Sequence, residues 1–114
     1  MFTVNTEYET YNDCIFELNR YTNNDHVAVE IYCEEGPLAS ITTNIPGIEL
    51  YDRNYSCVDT NNCPWAEELI EELGIGEPIG ISLRSGFCTY PVYKFDIKKI
   101  QNIRSNDEVH SLLR

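Results

Sequence analysis

Strict alternation marks the clearest strand of this 114-residue chain. From His26 to Cys33 (HVAVEIYC), Val27, Val29, Ile31 and Cys33 fall on one face and Ala28, Glu30 and Tyr32 on the other, the period of two expected of a sheet with one buried face. Residues 14 to 21 (CIFELNRY) alternate more loosely, and Thr22, Asn23, Asn24 and Asp25 close them with side chains that tolerate turns. Glu34, Glu35, Gly36 and Pro37 form the next turn signal, and Leu38 to Asn44 (LASITTN) supplies the β-branched residues of a third strand. Together these predict a three-stranded antiparallel meander.

Pro46 and Gly47 end that strand, and residues 47 to 63 read as a long ordered loop with a short extended piece near Ser56 to Asp59; loops of this length are often functional. Pro64 to Leu73 is the clearest helix. Pro64 suits the first helical position, Gly74 suits a left-handed stop, and Trp65, Leu69 and Leu73, with Ile70 beside them, make one apolar stripe that must lie on the sheet. Glu67, Glu68, Glu71 and Glu72 fill the remaining arc and are expected to face solvent. Beyond Gly76 to Pro78, Ile79 to Ser85 and Thr89 to Phe95 read as two more strands broken at Gly86, with Pro91 arguing for an edge or a bulge because it cannot donate to a ladder. Ser105 with Glu108 matches a capping box, and Val109, Leu112 and Leu113 give a short C-terminal helix an apolar side. The expected architecture is α+β: one domain over residues 1–114, an antiparallel sheet of about five strands, one well-defined helix on one face and a short C-terminal helix.

Charge changes this picture more than composition does. Residues 1 to 83 carry sixteen Asp and Glu against two Arg, a net −14, whereas residues 84 to 114 carry six Lys and Arg against three acids, a net +3; the whole is −11. So negative a field attracts basic protein surfaces and repels nucleic acid, so no direct nucleic-acid binding is expected of this chain. Many small acidic proteins carry such charge for solubility alone, which is the competing reading. An apolar share of 42%, with eight Tyr and Trp65, excludes disorder. The N-terminus lacks the basic and apolar regions of a signal peptide, and no run of about 18 apolar residues suggests a membrane span, so a cytoplasmic protein is expected. Cys14, Cys33, Cys57, Cys63 and Cys88 form an odd set with no disulfide framework, in keeping with a reducing compartment and with thiols used as small core hydrophobes.

The helix acids are the leading site candidate. Glu67 and Glu71, like Glu68 and Glu72, stand four residues apart, where like charges cost a few tenths of a kcal/mol per pair. Glu71 and Glu72 also sit at the negative end of the helix dipole. Four charges over about 9 Å of helix compare with roughly five phosphates over that length of duplex, a density that could occupy a basic groove. Tyr51, Asp52 and Tyr55 form a loop of residue types that anchor interfaces, or else the rim of the core. Glu30, Glu34, Glu35, Glu49 and Asp59 add acids whose grouping depends on tertiary contacts. Metal and nucleophile chemistry find little support. Cys57 and Cys63 are too far apart for a zinc knuckle and have no second pair, and His26 and His110 are expected to be exposed. Neither a cofactor nor a catalytic residue is expected.

Between residue 26 and about residue 96 the chain resembles a family of uncharacterised small proteins carried on conjugative plasmids, phages and other mobile elements of gut and Gram-positive bacteria. The pieces that carry the resemblance are HVAVEIYCEEGPLASITTNIPG, PWAEELIEELGIGEPIG and SGFCTYPVYKF. The resemblance implies a mobile-element context, in which small acidic proteins often blunt host defences, anti-CRISPR proteins among them. The expected function is therefore inhibition of a host-defence nuclease, with Glu67, Glu68, Glu71, Glu72, Tyr51, Asp52 and Tyr55 contacting a basic surface of a CRISPR effector or a similar protein. The alternative is a non-enzymatic accessory protein of plasmid or phage maintenance whose acidity is incidental.

Overall fold

The computed structural model describes residues 1–48 and 50–103. Among these residues, eight strands and the helix α1 run in the order β1 (Phe2–Asn5), β2 (Thr10–Arg20), β3 (Val27–Cys33), β4 (Gly36–Ser40), β5 (Thr42–Thr43), β6 (Tyr55–Val58), α1 (Ala66–Leu73), β7 (Gly76–Ser85) and β8 (Cys88–Phe95). They form two four-stranded antiparallel sheets, β1-β2-β3-β4 and β5-β6-β8-β7, where the sequence pattern suggested one sheet of about five strands. The α+β class and the antiparallel pairing stand.

The chain changes sheet at Ile41. The run Leu38 to Asn44, which reads as one strand, is divided there: Ser40 pairs with Glu30 in the first sheet and Thr42 with Val58 in the second. Ile41 is fully buried between the two sheets, its N–H donating to the Val29 carbonyl and its own carbonyl accepting from the Asp59 N–H. Periodicity cannot reveal such a switch, because both halves remain extended and both alternate. The Gly36-Pro37 pair belongs to β4 and not to the turn. β4 is an edge strand, where a proline is tolerated.

β1 and the start of β2 escaped the sequence pattern for a different reason. Asp13 adopts a left-handed backbone (φ 55°), and the register passes from Phe2 opposite Cys14 to Val4 opposite Tyr11, three steps on β2 against two on β1. This bulge shifts the side-chain alternation within one strand, so the pattern becomes visible only from Cys14 onward. The inserted residue lets Phe2 stack on Phe16 with ring centroids 4.3 Å apart.

One core serves both sheets. Phe16, Val29 and Ile31 from the first meet Val58, Tyr93 and Phe95 from the second, and Ala66, Leu69 and Ile70 of α1 close the group, with Trp65 and Leu73 half-buried at its border. The apolar stripe of the helix is thus as expected, although the regular helix starts at Ala66, with Pro64 and Trp65 in the preceding turn. Gly74 ends it in the left-handed conformation (φ 65°), which L side chains rarely adopt. A smaller cluster of Ile45, Cys57 and Val92, bordered by Tyr55, Leu83 and Tyr90, covers the opposite face of the second sheet.

Pro91 is on β8, an inner strand of its sheet and not an edge. It stands one residue beyond Val92, the last β8 residue paired with β6, so at that point the strand has β7 as its one neighbour. The irregularity lies on the partner, between Pro78 and Ser82 of β7. After Phe95 the chain becomes helical over residues 97–103, started by the Asp96 carboxylate accepting from the Lys99 N–H at 3.0 Å. The capping box at Ser105 and Glu108, with Val109, Leu112 and Leu113, lies outside the described residues.

Candidate functional site: an acidic helix and hairpin face

The acids divide into those the fold uses and those it leaves free. Asp59 is buried and ties the turn before α1, its two carboxylate oxygens accepting from the N–H and side-chain amide of Asn62 at 3.1 and 2.9 Å. Asp52 accepts the Asn54 N–H at 2.8 Å, Asp25 pairs with Arg53 at 3.1 Å, and Glu30 accepts from the Tyr32 hydroxyl at 3.3 Å. On the helix, Glu67 accepts the Tyr93 hydroxyl at 2.8 Å. Burial first, then this bond and the charge of Glu67, push the Tyr93 hydroxyl up to about 12.

Glu68, Glu71 and Glu72 are different. All three are exposed, and their carboxylates make no hydrogen bond or ion pair with any described residue. Glu68 and Glu72 border a cleft of about 60 Å³ whose other wall is Thr3, Val4 and Asn5 of β1. On the far side of the same β1–β2 hairpin, Glu9, Glu34 and Glu35 surround a second cleft of about 190 Å³ with Tyr11 and Cys33. Glu9, as hydrogen-bond acceptor and as charge, holds the Tyr11 hydroxyl above its ordinary value. The helix acids therefore stand beside β1, while Glu9, in the β1–β2 turn, meets Glu34 and Glu35 of the β3–β4 turn beside β2. Sequence could not group them, because about 25 residues separate Glu9 from Glu34 and the helix is further still.

Of the loop residues, Tyr55 lies elsewhere. Tyr55 packs in the small cluster with Cys57 and Val92, on the face of the second sheet opposite the one that α1 covers. Asp52 is half-buried and organises its own turn, while Tyr51 is fully exposed at 99%. Tyr55 thus takes the rim-of-core role. Glu49 and His110 lie outside the described residues.

His26 is buried at 3% exposure, contrary to expectation, because the loop after Ile45 folds over it. The Leu50 N–H donates to its Nε2 at 2.8 Å, which makes Nδ1 the protonated nitrogen, and Nδ1 has no partner among the described residues. All five cysteines are free thiols. Burial raises Cys14, Cys57 and Cys63, the last to about 11 with Asp59 adding to the effect, so none of these three is poised as a thiolate. No cluster of three or more His, Cys, Asp or Glu that could hold a metal ion occurs among the described residues. No helix among them is long and apolar enough to cross a membrane.

Fold and surface together define a class: a small two-sheet α+β domain with an acidic helix and hairpin face and with its buried thiols held protonated. A family model described as a domain of unknown function (DUF4313) matches residues 3–111, and the chain belongs to that family. No curated protein and no solved structure matches it.

Proposed function

We propose that this protein is a non-enzymatic inhibitor that presents the acidic face of α1 to a basic, nucleic-acid-binding surface of another protein, and that the partner is a host-defence nuclease of the CRISPR effector type. The mobile-element setting, plasmid or phage, is part of the same proposal. One observation carries it: Glu68, Glu71 and Glu72 make no hydrogen bond or ion pair with any described residue, whereas Asp25, Asp52, Asp59 and Asp96 each hold an ion pair or a turn. Four Glu on two turns of helix lower helix stability, and a single Lys would relieve the repulsion. A surface that retains such a cost is suited to meeting positive charge.

The test is binding to basic nuclease effectors at about 0.05 and about 0.3 M salt, since exposed charges are screened beyond roughly 14 and 6 Å at those strengths. Binding should weaken with salt and fall mainly through the association rate when Glu67, Glu68, Glu71 and Glu72 are all changed to Lys, with thermal melting showing that the variant is folded. Equal, salt-insensitive binding by both proteins would favour an accessory module with incidental acidity.

A further inference from the structure

The β7–β8 hairpin outgrows the sheet that carries it. β6 pairs with β8 only from Val92 to Lys94, whereas β7 and β8 continue together from Ser82 opposite Pro91 to Ser85 opposite Cys88. Past Val92 the hairpin is a two-stranded arm, in a molecule 45 Å long and 23 Å thick. Its side chains are unlike the rest of the surface. Pro78 to Phe95 contains no acid at all in a chain of nineteen. Phe87 is fully exposed at the tip, Ile81 is 50% exposed, and Leu83 and Tyr90 lie half-buried opposite each other at the border of the small apolar cluster.

β7 is also an edge, with no strand on its outer side among the described residues. Edge strands are commonly protected by charge, proline, bulges or shortness. The first half of β7 has all but the last of these, in Glu77, Pro78 and the irregularity around Gly80 (φ 86°). Ile81 to Ser85 has one charge, Arg84, and an otherwise open backbone.

We infer that the arm is a self-association surface, on which Ile81–Ser85 of β7 pairs antiparallel with the same segment of a second copy about a two-fold axis near Leu83. Charge limits where a second copy can approach. Two copies carrying −11 each repel wherever their acidic faces approach, and the arm is the stretch where they can meet without bringing acids together. A pairing centred on Leu83 sets Arg84 opposite Ser82 and Ile81 opposite Ser85, so the arginines do not face each other. An isologous contact of this kind closes on itself and stops at the dimer. It leaves the α1 face open in both copies.

Sedimentation equilibrium of the full chain over a range of concentrations tests this. A dimer is expected whose association tightens with salt, the reverse of partner binding through α1, because salt screens the repulsion between copies. Ile81→Lys with Phe87→Lys, both at exposed positions, should weaken the dimer by about tenfold or more, while Glu→Lys at the four helix positions should leave the pairing intact. Hydrogen exchange of the wild type should show concentration-dependent protection within Ile81–Ser85. A monomer at every concentration and salt, a dimer indifferent to the two Lys substitutions, or protection gained only outside β7 would each overturn the inference.

Discussion

Tyr93 joins the core to the acidic face. Its ring packs 6.5 Å from that of Phe95, and its hydroxyl reaches Glu67 on the helix. Because its ionisation is raised from 10.0 in the unfolded chain to about 12 in the folded one, the stability it contributes is complete below about pH 10 and is lost as pH rises towards 12. A spectroscopic titration of phenolate should show a late phase near pH 12 that disappears in Tyr93→Phe, and that variant should lose about 1 kcal/mol at neutral pH with its hydrogen bond. Residue-scale signals were unevenly legible. Trp65, Leu69, Ile70 and Leu73 declare their side of the helix by spacing alone. His26 does not, since its burial depends on a loop more than 20 residues away whose Leu50 N–H it accepts.

At the scale of elements, the join between α1 and β7 is the most closely packed of the glycine positions. A side chain at Gly76 would place its Cβ 3.0 Å from the Lys94 carbonyl oxygen, 3.3 Å from Ile70 Cγ2 and 3.4 Å from Phe95 Cδ1. The closest of these atoms is backbone in a paired strand and cannot swing away. Gly76→Ala should therefore destabilise the fold by about 1–3 kcal/mol through overpacking, measured as a lower denaturation midpoint with an unchanged slope. Helix α1 and strands β3 and β8 were legible from local pattern, and β7 only from Ile79, since Gly76 to Pro78 read as a break yet pair with Phe95 to Tyr93. β1, the start of β2 and the β4–β5 break were not: a left-handed Asp13 resets the alternation in one case, and in the other Ile41 changes sheet without leaving the extended conformation.

Over the whole molecule, net charge opposes compactness. Among the described residues the ion pair at Arg53 and Asp25 is exposed on both sides, and such pairs contribute little. Raising neutral salt from about 0.02 to about 0.3 M should therefore raise the melting temperature, as screening relieves the repulsion of a −11 chain. A melting temperature that fell over this range would mean that attractive pairs outweigh the repulsion.

By itself the sequence determined the α+β class, the antiparallel meander, the phase and C-terminal end of α1 and the exposure of its four Glu, because each depends on neighbours within one or two turns of the chain. Only the tertiary structure decided that there are two sheets, that Glu9, Glu34 and Glu35 line one cleft, and that Tyr55 lies on the face of the second sheet opposite α1. Those facts turn on a bulge, a change of sheet and pairings across tens of residues, for which periodicity carries no term. The charge segregation was plain from the start, but that the acid-free stretch forms an arm projecting past its own sheet follows from where β6 ends, which no residue of the arm encodes.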